Sequence, residues 1–264
     1  MHIDSLFIYP IKSLGGILLQ SANLLERGFE YDRRWMLVDA NGVFLTQREF
    51  PILALFSTQI GVNHILVKSK LSGDKVSVPL IPEGKEEIMV TVWDDKVPAV
   101  EVSLEVSTWF SNEIGKAIRL VYMPDNSERL IDANYANNSE IVSFADGYPV
   151  LVANTTSLYE LNSRLNQSVT IDRFRPNIVV AGERPFEEDD WKSITIGTIQ
   201  LSLVKKCARC VMVNINPNTA EKETSVLSVL ASFRKKNNSV FFGINGFAKV
   251  GGIINVGDKV EIGL

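Results

Sequence analysis

Ile199-Gln200-Leu201-Ser202-Leu203-Val204-Lys205-Lys206-Cys207-Ala208-Arg209-Cys210-Val211-Met212-Val213-Asn214-Ile215 holds the chain's only two cysteines. The runs 199–204 and 211–215, dense in Val, Ile and Leu, predict a strand on each side of the pair. A thiol pair set between strands differs from one that opens a helix, where the helix dipole lowers the first cysteine's pKa. The stretch therefore predicts a β fold and speaks against a thioredoxin-like dithiol. Three readings of the pair remain. A structural zinc site needs four ligands, and His2 and His64, the only histidines, do not have ligand spacing. Free cysteines are often small buried hydrophobes. A single thiolate is also a soft donor for a transition metal carried in an organic cofactor, favoured here by Lys205, Lys206 and Arg209.

Outward from this stretch, the first hundred residues read as β structure. Runs 34–39 and 42–46 flank Asn41-Gly42, a strong hairpin signal. Further strands are predicted at 59–68 and 87–92, with turn residues Pro79, Pro82 and Gly84 between the second and its neighbour. One helix is predicted over 103–116 from the stripe Leu104, Val106, Trp109, Phe110 and Ile114. Beyond Leu120 the pattern restarts with a strand, an Asn-rich polar stretch (127–140) and a strand at 148–152. A helix follows, launched from 154–157 with Ser157 and Glu160 as a capping box. Its predicted inner face is Leu158, Leu161 and Leu165. Strand 178–180, a helix over 223–235 and short terminal strands broken by Gly251-Gly252 and Gly257-Asp258 complete the reading. The expected fold is mainly β with a few helices, as residues 1–118 and 119–264.

Composition narrows the function. At 264 residues, 45% hydrophobic and 22% charged, the chain can bury a large core. A net charge of −4 and the lack of reader motifs speak against nucleic acid. No apolar run approaches the ~20 residues of a membrane span. Two close cysteines and no signal-peptide pattern lead to the expectation of a cytoplasmic protein. The cations cluster: Arg33, Arg34 and Arg48 near the first hairpin, Arg173, Arg175 and Arg184 around Pro176, and Lys12-Ser13 after Tyr9-Pro10. Guanidinium forks suit phosphate, so an anionic cofactor or substrate is expected.

Five segments in order, Tyr9-Pro10-Ile11-Lys12-Ser13, Asp32-Arg33-Arg34-Trp35, Arg173-Phe174-Arg175-Pro176-Asn177, Glu188-Asp189-Asp190-Trp191 and Cys207-Ala208-Arg209-Cys210, resemble the MOSC proteins with an N-terminal β-barrel domain. This is the family of the molybdenum cofactor sulfurase C-terminal domain and the mitochondrial amidoxime-reducing component. The resemblance implies an N-terminal β-barrel-like domain and a MOSC β-barrel domain. It also implies the molybdenum cofactor (Mo-molybdopterin), with Cys210 as metal ligand and catalytic centre. By the same resemblance Lys12, Ser13, Arg33, Arg175, Asn177, Arg209 and Cys210 contact that cofactor, and Cys207 is left to packing. The implied activity is reduction of N-hydroxylated compounds or N-oxides, small-molecule substrates, with electrons from an external reductase, ferredoxin-like or cytochrome-like protein. The alternative is a non-catalytic carrier of the cofactor, or of sulfur as a Cys210 persulfide. The chain departs from the family's Asp-Pro-x-Thr-Gly turn, reading Asn216-Pro217-Asn218-Thr219-Ala220.

Overall fold

The computed structural model describes residues 1–136 and 139–264; Asn137 and Asn138, in the polar stretch predicted at 127–140, lie outside the described residues. The fold is mainly β. Its largest sheet runs Val260–Gly263, Ser193–Ile196, Ile199–Ala208, Ser239–Ala248, Val150–Asn154, Ile178–Ala181, His2–Ile8 and Ile17–Leu19, each strand bonded to the next. All neighbours are antiparallel except Val150–Asn154 and Ile178–Ala181, whose crossover carries the helix Thr155–Asn162. Along Ile199–Ala208 the two-residue period is plain: Ile199, Leu201 and Leu203 are buried while Gln200 is exposed. They join Ile3, Leu6, Val152, Ile178 and Ile244 in one core.

Sheet pairing ignores distance along the chain. His2–Ile8 pairs with Ile178–Ala181, and Ser21–Leu25 pairs with Gly252–Asn255. Two smaller sheets complete the N-terminal half: Trp35–Asp39, Ile118–Tyr122, Asp95–Glu101 and Glu87–Val92 in that order, and the meander Phe56–Ile60, His64–Ser69, Lys75–Pro79. The helix Leu104–Ile114 closes their core, setting Val106 and Phe110 against Phe56 and Leu120. It starts where Ser103 Oγ accepts the Val106 amide and stops at Gly115, whose φ of 71° suits glycine.

Several expectations are corrected. Residues 211–215 do not form a strand. Val211–Asn214 is a 3-10 turn, tied down by Asn214, whose side chain accepts the Leu227 amide and whose carbonyl accepts that of Glu223. A short apolar run does not by itself distinguish strand from helix. The predicted strand 59–68 is two strands of a hairpin, closed by the Gly61 amide on the His64 carbonyl. The 42–46 arm makes only single bridges, Val38 with Phe44 and Val43 with Thr91. Ser157 is not a cap: Asn154 caps that helix by accepting the Thr156 amide, and Ser157 turns inward to Glu188. The central strand Ser239–Ala248 hides in a glycine-interrupted sequence. A Cβ at Gly243 would lie 2.7 Å from the Val152 carbonyl oxygen and one at Gly246 2.5 Å from that of Ser202, so close strand approach selects glycine there. Among the described residues no helix is long and apolar enough to cross a membrane.

Candidate functional site

Two irregularities sit at the end of the cysteine strand. The register against Ser239–Ala248 shifts between Leu203 and Lys205 and again between Lys206 and Ala208. Such bulges re-aim side chains, and inward–outward alternation ceases here. Cys207 becomes half-exposed and Cys210 exposed, so neither is a core residue. The packing role expected for Cys207 is thereby corrected. Residues 207–210 run without a turn or bend. Cys207 and Cys210 are free thiols, with no disulfide between them.

Both cysteines line a narrow cleft of about 130 Å³, and every residue predicted for the site, Lys12, Ser13, Arg33, Arg175, Asn177, Arg209 and Cys210, lines it too. Their backbones are unusual. Ser13, Arg33 and Arg175 hold φ of 70°, 51° and 52°, a region that costs ordinary residues energy and that clusters at functional sites. Lys12 is 5% exposed, its Nζ donating to the Phe144 carbonyl at 2.7 Å and to Asp146 Oδ1 at 2.6 Å. Burial lowers the Lys12 pKa, against the pull of Asp146. Asp146 stands at the rim. Surrounding protein raises its pKa, but the Lys12 ammonium outweighs this and holds the carboxyl well below the usual range. Asn177 is a brace: its Nδ2 donates to the Phe7 carbonyl, and its Oδ1 accepts from the Leu151 amide and from Arg33 Nη1, each at 3.2 Å.

Tyr9 carries two of the arginines. The Arg33 and Arg175 guanidiniums lie 4.4 and 4.1 Å from the centre of its buried ring. Arg33 is balanced by Asp32 at 2.6 Å, but among the described residues the Arg175 guanidinium donates only to the Leu14 carbonyl, and burial together with Arg33 brings its pKa down to about 10. Polar cleft residues beyond those predicted include Thr46, Arg48, Asp146, Tyr148, Arg173 and Cys207. Arg48 stacks at 4.2 Å on Trp93. Six cations therefore line the cleft (Lys12, Arg33, Arg48, Arg173, Arg175, Arg209) against one carboxylate, Asp146. Among the described residues Arg48, Arg175 and Arg209 have no carboxylate within ion-pair distance, and the buried Nε atoms of Arg48 and Arg209 have no hydrogen-bond partner. Unpaired, half-buried cations in such number are costly unless an anion joins them.

The two sulfurs differ. Arg209 Nη1 donates to Cys207 Sγ at 2.8 Å, whereas Cys210 Sγ makes no hydrogen bond among the described residues. Beyond Cys207 the cleft opens into a basin of about 980 Å³, sharing Asp146, Gly147, Tyr148, Ala208 and Asn245 and walled by Trp93 and Tyr135. The Asn216–Ala220 turn supports the cleft from behind: Asn216 Nδ2 donates to Glu223, whose other oxygen accepts from Arg173 at 2.8 Å. The Glu188-Asp189 segment braces the cysteine strand, with Asp189 holding both Lys206 and Arg234.

Comparison with known proteins agrees with this architecture. Residues 1–117 match the family described as MOSC N-terminal beta barrel domain and residues 139–261 match the MOSC domain. The chain is 32% identical over 266 residues to "Molybdenum cofactor sulfurase" of Oryza sativa subsp. japonica, covering 92% of this chain and 32% of that protein. It is 29% identical over 282 residues to "Mitochondrial amidoxime-reducing component 1" of Xenopus laevis, covering 98% and 81%. It is also 29% identical over 281 residues to "Mitochondrial amidoxime reducing component 2" of Rattus norvegicus, covering 98% and 82%. The chain thus spans about a third of the sulfurase relative's length and about four fifths of the amidoxime-reducing ones.

Proposed function

The chain belongs to the MOSC family, with a MOSC N-terminal beta barrel domain preceding a MOSC domain, and on that premise we propose that its cationic cleft holds the molybdenum cofactor and reduces N-hydroxylated compounds or N-oxides. The observation that carries this reading is the meeting in one cleft of Arg48, Arg175 and Arg209, three guanidiniums without carboxylate partners among the described residues, with the thiol of Cys210, unbonded among those residues. A pterin phosphate would supply the missing negative charge, and a thiolate is a suitable soft donor for molybdenum. We place the division between the two units at 118/119 and the protein in the cytoplasm.

When bound, the cofactor supplies a two-electron metal centre for removing oxygen from nitrogen. The chain's residues do the rest. Lys12, Arg33, Arg48, Arg175 and Arg209 bind and orient the anion, Tyr9 and Asn177 keep Arg33 and Arg175 in place, and Cys210 offers its sulfur. The overall change is R–NH–OH + 2 H⁺ + 2 e⁻ → R–NH₂ + H₂O, with both electrons from an external carrier. Asp146, held ionised by Lys12, is a poor proton donor near neutral pH. Tyr148 at the junction of cleft and basin is the better one to hold a proton: burial raises its pKa, so it stays protonated.

Benzamidoxime reduction with an artificial electron donor tests the reading: turnover by the loaded protein, lost in Cys210→Ala, is expected. Full loading with no turnover of N-hydroxylated compounds would instead favour the carrier.

A further inference from the structure

One corner of the large sheet, beside the basin, collects lysines. Lys205 and Lys206 come from the strand Ile199–Ala208, just before Cys207. Lys235–Lys236 forms a short strand on the start of Ser239–Ala248, with Lys235 opposite Val240 and Lys236 opposite Ser239. That strand pairs in turn with the cysteine strand, Phe241 opposite Ala208. The lysine pairs therefore stand two strand spacings apart and are offset along Ser239–Ala248, where Lys205 and Lys206 face Asn245 and Ile244, roughly 20 Å in all.

Lys205, Lys206 and Lys236 line the basin together with Cys207. The side chains of Lys205 and Lys206 are 43% and 41% exposed. Lys235 and Lys236 are exposed and have no ion pair among the described residues. Arg234 adds a fifth cation, and the carboxylates paired with the group are Asp132 and Asp189. This positive corner stands on a chain whose net charge is −4. The hairpin turn facing the basin from the N-terminal half carries Asp94 and Asp95 instead, Asp95 being paired with Arg129. The basin thus has a basic side on the cysteine strand and an acidic side on the hairpin.

We infer that the lysine corner is the docking surface of an acidic one-electron carrier protein, which delivers electrons across the basin rim into the cleft. The inference rests on the reductive reading above. Opposite charge steers encounter and fixes orientation, and it acts over about a Debye length, ~8 Å at physiological salt. Lys205 and Lys206 lie on the strand that ends at the cysteines, and Lys236 lines the same basin as Cys207. Two reduced carriers, one N-hydroxy substrate and two protons give two oxidised carriers, one amine and one water, so electrons and atoms balance.

The test uses the cofactor-loaded protein with two donors: a plant-type [2Fe–2S] ferredoxin as the acidic protein probe, and dithionite-reduced methyl viologen as a small cationic comparator. The Lys235→Glu/Lys236→Glu double variant is expected to raise the KM for ferredoxin at least tenfold at low salt and to leave viologen-driven benzamidoxime reduction unchanged. Salt should raise the wild-type KM towards the variant's. Carbodiimide cross-linking, which joins ferredoxin carboxylates to lysines without turnover, should map to Lys205, Lys206, Lys235 and Lys236. An unchanged ferredoxin KM in the variant, or cross-links mapping elsewhere, would overturn the docking site. Absent viologen-driven turnover in the wild type would overturn the reductive reading instead, and the cross-link map would still decide the surface. Lys235→Ala/Lys236→Ala, with half the charge change, serves if the reversal fails to fold.

Discussion

The guanidinium of Arg209, just past the end of the strand Ile199–Ala208, reaches back to donate to Cys207 Sγ at 2.8 Å, leaving Cys210, the next residue on, with an exposed thiol that is unbonded among the described residues. The two cysteines therefore have unequal roles. Cofactor loading should protect Cys210 from iodoacetamide at least tenfold while changing the alkylation of Cys207 much less, as read by peptide mass mapping. Equal protection of both thiols would contradict the inequality.

The anion cleft can be probed in cofactor-free protein. Lys12→Met and Arg175→Gln each remove a charge-assisted contact of roughly 1.5–3 kcal/mol, about tenfold to a hundredfold in affinity. Titration calorimetry with inorganic pyrophosphate should register that loss for both variants. Arg184→Gln, whose side chain is 82% exposed and does not line the cleft, should bind like the wild type.

Glu188 makes stability depend on pH. It is fully buried, accepting from Ser157, and burial pushes its pKa from 4.5 up to about 7 despite the hydrogen bonds that favour its charged form. The folded chain thus holds a proton that the unfolded chain releases. This contribution is complete below pH ~4.5, declines as pH rises, and is gone above ~7, a loss of about 3 kcal/mol. Thermal unfolding from pH 5 to 8 should show Tm falling with pH in the wild type and a flatter profile in Glu188→Gln.

The altered turn is decipherable in structural terms. Asn216 Oδ1 accepts the Asn218 amide at 2.9 Å, so the Asx turn survives the loss of the acid, while Ala220 takes a φ of 60° in the place where the family's pattern has glycine. Ala220→Gly should stabilise by up to ~1 kcal/mol in denaturant titration, strain relief being partly offset by unfolded-state entropy. Asn216→Asp should do the reverse. It replaces the donor to Glu223 with a second carboxylate, raises the Glu223 pKa now held low by Arg173 and Asn216, and lowers the midpoint above pH ~5.

Much of this architecture could be read in advance, where a local rule and the tertiary demand coincide. Ser103 and Gly115 bound their helix because cap and left-handed stop are local needs. The strand Glu87–Val92 lies as predicted because its alternation faces one core. Val211–Asn214 was misread because Asn214 fastens the segment through contacts with 223–227, which no local pattern reveals. The seven residues expected from the resemblance line one cleft. Arg48 was visible as part of the arginine cluster, but its place on Trp93 depends on two loops meeting. Asp146 and Tyr148 carried no functional signal, since a lone Asp before a predicted strand and a Tyr at its start match no site pattern.

The central claim is that Cys210 and the cations around it hold the molybdenum cofactor. The most direct check is molybdenum and pterin per chain, by elemental analysis and pterin fluorescence, after purification from a host that makes the cofactor. Wild type and Cys207→Ala should carry near-stoichiometric metal, and Cys210→Ala should lose most of its molybdenum. Equal metal in wild type and Cys210→Ala, or loss tracking Cys207 instead, would contradict it.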